Sequence, residues 1–308
     1  MSVTIAPFLW FDTHTEAAME FYTSVFRDSS VTTVQRYPEG PLHGPMAGME
    51  GKVLTAIFRL SGEEFLALDG GPHFRFNPSI SFFVHCGDEA EFDRIWARLS
   101  QGGQVLMPVD AYPFNPKFGW CADVNGVNWQ VGLGAHYQQI VPFLMFVGAQ
   151  HGKAEEAMRL YTRVFSEAGR DDSGIERIAR YGDDGVPGDA HTHGTVFHAE
   201  FRLAGRSFMA SDSAEAHAFD FTQAVSLYVE CDTQAEIDHF WNALSANPDA
   251  EQCGWLTDRF GVPWQIVPSA MRRWMDDPDS DRQARLMQAV LAMKKFDIAG
   301  LERAYHGT

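Results

Sequence analysis

This 308-residue chain has little basic charge. Twenty-four Lys and Arg stand against 41 Asp and Glu, a formal net charge of -17. Such a surface repels phosphate backbones and anionic membranes, and no basic patch offsets it, so nucleic acid and membrane surfaces are excluded as partners. No apolar run reaches the roughly 18 residues that a membrane-spanning helix needs. The opening residues MSVTIAPFLWFD lack the basic region and cleavage site of a secretory leader. The chain has four cysteines, Cys86, Cys121, Cys231 and Cys253, with no C-x-x-C pair. That scatter fits reduced thiols in a cytoplasmic protein. A Gly-rich turn between a strand and a helix, with an acidic residue some twenty positions on, is also missing, so no doubly wound cofactor site is predicted. There is no G-x-S-x-G elbow, and Cys86 and Cys231 fall in apolar strands where a thiol is inert.

What the chain does contain is repetition. Pro7-Phe8-Leu9-Trp10-Phe11 returns as Pro142-Phe143-Leu144-Met145-Phe146. The segment EAAMEFYTSVF (16–26) returns as EEAMRLYTRVF (155–165), with seven of eleven residues identical. GWCADVNGVNWQ (119–130) returns as GWLTDRFGVPWQ (254–265). The period is too long for a solenoid and signals a duplicated domain. The predicted division is 1–134, 139–268 and a helical tail over 269–308, with the boundary near 133–138. Within a copy, a buried strand is followed by the apparent capping box Thr13-x-x-Glu16 and an apolar helical stripe. Three strands come next, and Asp88-x-x-Glu91 then starts a second helix before three more. Each copy therefore reads as a pair of βαβββ modules in an α+β fold. In the tail, the acidic turn 276–281 precedes an amphipathic helix, and Asp297 begins a last short one. The tail is expected to pack on the domain edge, with a dimerisation arm as the alternative.

These segments resemble the PhnB-like, 3-demethylubiquinone-9 3-methyltransferase-like branch of the vicinal oxygen chelate superfamily, which also holds glyoxalases, bleomycin-resistance proteins and dioxygenases. The carriers are PFLWFD with EAAMEFYTSVF, LDGGPHFRFNPSISFFV (68–84), HAEFRLAGRSFMASD (198–212), QCGWLTDRFGVPWQIVP (252–268) and the tail. The resemblance implies a cupped sheet of paired modules in each copy, and a fused pair in place of a homodimer, able to dimerise again. It also implies a divalent metal in the cup. Here the first strand carries no metal-ligating residue. Ser81 and Ser226 stand near where metal-binding relatives have His, and Gln130 and Gln265 where they have Glu. Absence of a metal is therefore the first expectation. A metal at His198, Glu200 and His193 is the alternative, because period-two spacing puts His198 and Glu200 on one strand face. Catalytic candidates are His198, Glu200, Asp69 and His73. Trp10, Phe74, Phe76, Trp120, Gln130, Asp212, Trp255 and Gln265 are candidates to line a ligand pocket, with Trp129 a further wall. The expected function is an enzyme acting on a small aromatic or carbonyl-bearing metabolite. The alternatives are a sequestering binding protein and the methyltransferase of the family name.

Overall fold

The computed structural model describes residues 4–40, 47–134, 139–183, 186 and 188–308, so most of the predicted boundary, 135–138, lies outside the described residues. The first copy holds β1 (Ile5–Phe11), α1 (Thr15–Val25), β2 (Ser30–Arg36), β3 (Val53–Leu60) and β4 (Glu63–Asp69). It continues with β5 (Ile80–Cys86), α2 (Glu89–Ser100), β6 (Gln104–Tyr112), β7 (Asn115–Ala122) and β8 (Asn128–Leu133). The second copy holds β9 (Gln139–Phe146), α3 (Ala154–Glu167), β10 (Gly174–Arg180), β11 (Val196–Leu203) and β12 (Arg206–Asp212). Its last module is shorter: β13 (Val225–Cys231), α4 (Gln234–Leu244), β14 (Trp255–Thr257) and β15 (Pro263–Pro268). The tail forms α5 (Ala270–Met275), α6 (Ser280–Ala292) and α7 (Ile298–His306).

The modules of one copy do not share a sheet. A seven-stranded sheet runs β14-β15-β13-β1-β4-β3-β2 and joins the first module to the fourth. An eight-stranded sheet runs β10-β11-β12-β9-β5-β8-β7-β6 and joins the second to the third. Each junction is antiparallel, with Phe8 opposite Ser226 and Ser81 opposite Phe143. The expectation of one cup per copy is thereby corrected: each cup takes one module from each copy. Both of a pair's central strands are apolar on two faces, so they satisfy their backbone groups against any partner of matching register.

Within a copy the two modules instead meet through their helices. In the first copy, buried Asp123 accepts the Trp129 indole N–H (2.8 Å) and the backbone N–H groups of Asn125 (2.8 Å) and Val127 (3.1 Å). Asp258 in the second copy accepts from Trp264 Nε1 (3.0 Å), Phe260 N (2.8 Å), Val262 N (3.1 Å) and the Tyr161 hydroxyl (2.6 Å). This explains the repeat D-x-x-G-V-x-W-Q: the Trp fills the core while its N–H satisfies the carboxylate that closes the turn. Trp129 and Trp264 are fully buried, and Trp129 is therefore core, not pocket wall. The copies are also clasped together. Arg206, at the β11–β12 turn, donates to the carbonyls of Ile5 (3.2 Å) and Glu64 (3.0 Å) and pairs with Glu63 (3.3 Å). Glu63 is its counterpart in the first copy's repeat, a complementary pair where an identical dimer would face like with like.

The start of α1 differs from its sequence reading. Thr13 does not cap it; His14 holds the N-cap position with no side-chain bond, and the Thr15 N–H donates to Asp69 Oδ1 at 2.9 Å. The third module repeats the device, Asp212 Oδ1 accepting from Gly152 N (2.8 Å) and Ala154 N (3.1 Å). A carboxylate delivered by the neighbouring strand does what a local cap would do. Asp88 does cap α2, accepting from Glu91 N at 2.8 Å.

Candidate functional site

Alternation along the strands decides which residues face each concavity. In the eight-stranded cup, β5 presents Ser81, Phe83 and His85 while Phe82 and Val84 enter the main core. Strand β9 presents Val141, Phe143 and Met145, β12 presents Met209, and β7 presents Phe118, with Met107, Tyr112, Trp120 and Phe219 around them. Strand β11 contributes His198 and Glu200, whose Nε2 and Oε1 lie 3.5 Å apart, both part-exposed. The His198 carboxylate partner thus comes from its own strand, two residues on. His198 sits over Phe143, with ring centroids 6.2 Å apart, and His85 over Phe83 at 4.5 Å. His198 beside it holds the Glu200 carboxyl below the usual range, so Glu200 is an anion at neutral pH. Burial holds His85 below its ordinary value, and its field is set by both Glu200 and His198. The Trp120 indole N–H is buried with no acceptor among the described residues. At the floor, Gln130 Nε2 donates to Ser81 Oγ at 2.9 Å, and both residues are buried.

The seven-stranded cup has the same floor, Gln265 Nε2 donating to Ser226 Oγ at 2.9 Å. Its walls differ. A pocket of about 250 Å³ lies there, bounded by Phe8, Leu66, Leu68, Thr55, Ile57 and Tyr228 of the sheet and by residues of the tail. Trp10, Phe74 and Trp255 gather at its rim, with Trp10 centroids 5.1 Å from Phe74 and 5.7 Å from Trp255. The Trp10 indole donates to the Gly71 carbonyl at 3.0 Å, and Gly70 must be glycine because a Cβ there would lie 2.1 Å from the Trp10 ring. His73 is exposed and meets the Trp10 edge at 6.3 Å.

The predicted site residues thus separate into groups. His198, Glu200, Trp120 and Gln130 share the eight-stranded cup; Trp10, Phe74, Trp255, Gln265 and His73 belong to the seven-stranded one. Asp69 and Asp212 lie on the opposite face of the sheets, where backbone N–H groups consume their oxygens; each also accepts from the first residue of a strand, Val53 (3.1 Å) or Val196 (2.8 Å). The structure brings neither to His198, and Asp69 is not paired with His73. Phe76 packs on Phe11, centroids 5.1 Å apart, against the core and not in a cup. His85 was missed by sequence reading, though its period-two relation to Ser81 and Phe83 on one strand was the available signal.

The residues do not fit the divalent metal that the superfamily resemblance implies. Each cup floor offers a neutral amide and hydroxyl already bonded to one another, and the first strands present Phe8, Trp10, Phe143 and Met145. His193 packs against Gly182, whose added Cβ would lie 2.5 Å from its ring. Among the described residues, no three His, Cys, Asp or Glu side chains are grouped to hold an ion. The cysteines offer no nucleophile, burial pushing Cys86 and Cys121 up to about 12.

Two concave sheets of paired modules, back to back around shared helices, define the glyoxalase fold of the vicinal oxygen chelate superfamily. Glyoxalase I from Zea mays shares it, at 9% identity and a TM-score of 0.53 over 89% of this chain and 96% of its own. The family model of 3-demethylubiquinone-9 3-methyltransferase matches twice, at residues 3–132 and 138–267, and the chain belongs to this PhnB-like family as a tandem duplicate. The PhnB protein from Bacillus cereus is 43% identical over 42% of this chain and 98% of its own, with a TM-score of 0.39. No curated protein matches the sequence. Among the described residues no helix is long and apolar enough to cross a membrane.

Proposed function

We propose that the eight-stranded cup binds a small aromatic or carbonyl-bearing molecule and moves a proton on the carbon next to its carbonyl, with His198 as the base. The observation that carries this reading is the His198–Glu200 pair at 3.5 Å on the concave wall, beside aromatic and Met side chains. An anionic Glu200 orients the imidazole and stabilises the imidazolium formed when His198 takes the proton. The buried Trp120 N–H is a donor without a partner, and a ligand carbonyl oxygen placed there would satisfy it; left alone it costs about 1–3 kcal/mol. Phe83, Phe118 and Phe143 would sandwich the ring and exclude water. His85, held below its ordinary value and so neutral at pH 7, can take the proton onward, the positive charge passing from the His198 imidazolium to His85 as His198 returns to its neutral form.

The test is solvent exchange. Phenylacetone in D2O would be followed by NMR for loss of its protons next to the carbonyl. Wild type is expected to accelerate exchange over buffer, and His198→Ala to lose about 10²–10⁴ of that acceleration. Glu200→Gln, which removes the charge and keeps the shape, should fall between them. Saturable binding without exchange would replace this reading with the sequestering protein, which the Met-rich and aromatic walls also support. Stoichiometric binding of S-adenosylmethionine would favour the methyltransferase of the family description.

A further inference from the structure

We propose that the tail builds a second, separate binding site: with the seven-stranded cup it forms a pocket for a small uncharged ring that carries one hydrogen-bond donor. The sequence shows why the tail is needed there. Leu99 to Trp120 spans 22 residues, and the corresponding Leu244 to Trp255 spans 12. The missing residues are the β6–β7 hairpin, whose tip in the eight-stranded cup reaches Phe197 of β11 through Phe114, centroids 6.2 Å apart. Where that hairpin is absent, α5 and α6 lie across the sheet and supply Met271, Met275, Met287 and Val290 to the pocket wall.

The tail is fastened at both sides. Arg272 of α5 pairs with Glu64 of β4 (2.6 Å) and with Glu230 of β13. Gln35 of β2 donates to Asp276 at 2.7 Å, and the stretch after α6 accepts from Cys253 N and Gly254 N, each at 2.8 Å. Gly254, at φ +82°, leaves room for Phe296; a Cβ there would lie 2.5 Å from its ring.

The pocket's chemistry selects its ligand. At about 250 Å³ it exceeds the roughly 150 Å³ apolar cavity that takes benzene, so a one- or two-ring molecule fits. Its one cation among the described residues, Arg272, is already bound by two carboxylates, and Asp276 stands beside them, so an anion meets net negative charge. Thr33 and Thr55 line the wall, and Gln35, its Nε2 spent on Asp276, keeps a buried carbonyl oxygen with no donor among the described residues. These are acceptors for one N–H or O–H on an otherwise apolar ring, the chemistry of an indole or a phenol.

Methionine methyls report on both cups. The full chain labelled at [¹³C-methyl]methionine, with resonances assigned by Met→Leu substitution, would be titrated with indole and, separately, with benzoate. The expected result is saturable indole shifts at Met271, Met275 and Met287, with benzoate at least tenfold weaker. Thr55→Val, which keeps the shape, should weaken indole about fivefold and leave toluene unchanged. Leu68→Trp should fill the pocket and abolish the shifts. Shifts confined to Met107, Met145 and Met209, no saturation at any of the six, or benzoate equal to indole would overturn the proposal. His198→Ala is expected to bind indole as wild type does, so this proposal and that of proton transfer fail separately.

Discussion

The two cups share a floor and differ at the wall. Ser81 and Gln130 in one correspond to Ser226 and Gln265 in the other, and both pairs bond at 2.9 Å. Above them the repeat sets His198 against Thr55, Glu200 against Ile57, His85 against Glu230 and Phe83 against Tyr228. The eight-stranded cup carries a titratable cluster and a β-hairpin at its edge. The seven-stranded cup has a mainly apolar wall, lacks the hairpin and is closed by helices from outside the repeat. Duplication within one chain allows this: each of the four modules belongs to one cup only, so a change in a module alters one cup and leaves its repeat counterpart in the other cup as it was. The floor, where change would strand buried polar groups, has stayed the same in both.

The largest effects should fall where the halves are alike. Asp123→Ala and Asp258→Ala each leave several buried donors unpaired, and each should cost about 3–5 kcal/mol of stability by denaturant unfolding. A large loss in one and none in the other would break the equivalence of the two helix-faced cores. Arg272→Ala should be milder, about 2 kcal/mol, since the ion pairs are part-exposed. It loosens only the tail, so indole binding should weaken while proton exchange in the other cup is unchanged. Phe114→Ala is the converse: at 49% exposure it should change stability by no more than about 0.5 kcal/mol yet weaken ligands of the eight-stranded cup.

The smallest effect is on pH dependence. Burial holds His85 below its ordinary 6.5, so between that depressed value and 6.5 the unfolded chain binds more protons than the folded one. Stability is therefore expected to fall as pH drops through about 6.5 and to level off below the folded value. His85→Leu should flatten that slope in thermal unfolding followed from pH 7.5 to 5; an unchanged slope would place the titration elsewhere.

Much of the fold was legible in the sequence, because β3, β5, the helix stripes and the repeated Trp residues follow local periodicity. The pairing of modules was not. Nothing local distinguishes β1 joined to β5 from β1 joined to β13, since central strands of either kind are apolar throughout. For the same reason Trp10 and Trp120, both of the first copy, face different cups. Asp69 and Asp212 read as pocket carboxylates because an Asp before Gly or Ser at a strand end looks free; the helix ends they cap lie about 55 to 60 residues away in sequence. His198 and Glu200 were legible from spacing alone. His85 needed the knowledge that its strand and β11 share a sheet.

The most direct test of the division between cups is a matched pair of substitutions at one repeat position. Exchange of phenylacetone protons would be measured for His198→Ala and for Thr55→Ala in the full chain. Loss of about 10²-fold or more in the first, with wild-type exchange in the second, is the predicted result. Equal loss in both, or full exchange in His198→Ala, would contradict the assignment of chemistry to the eight-stranded cup.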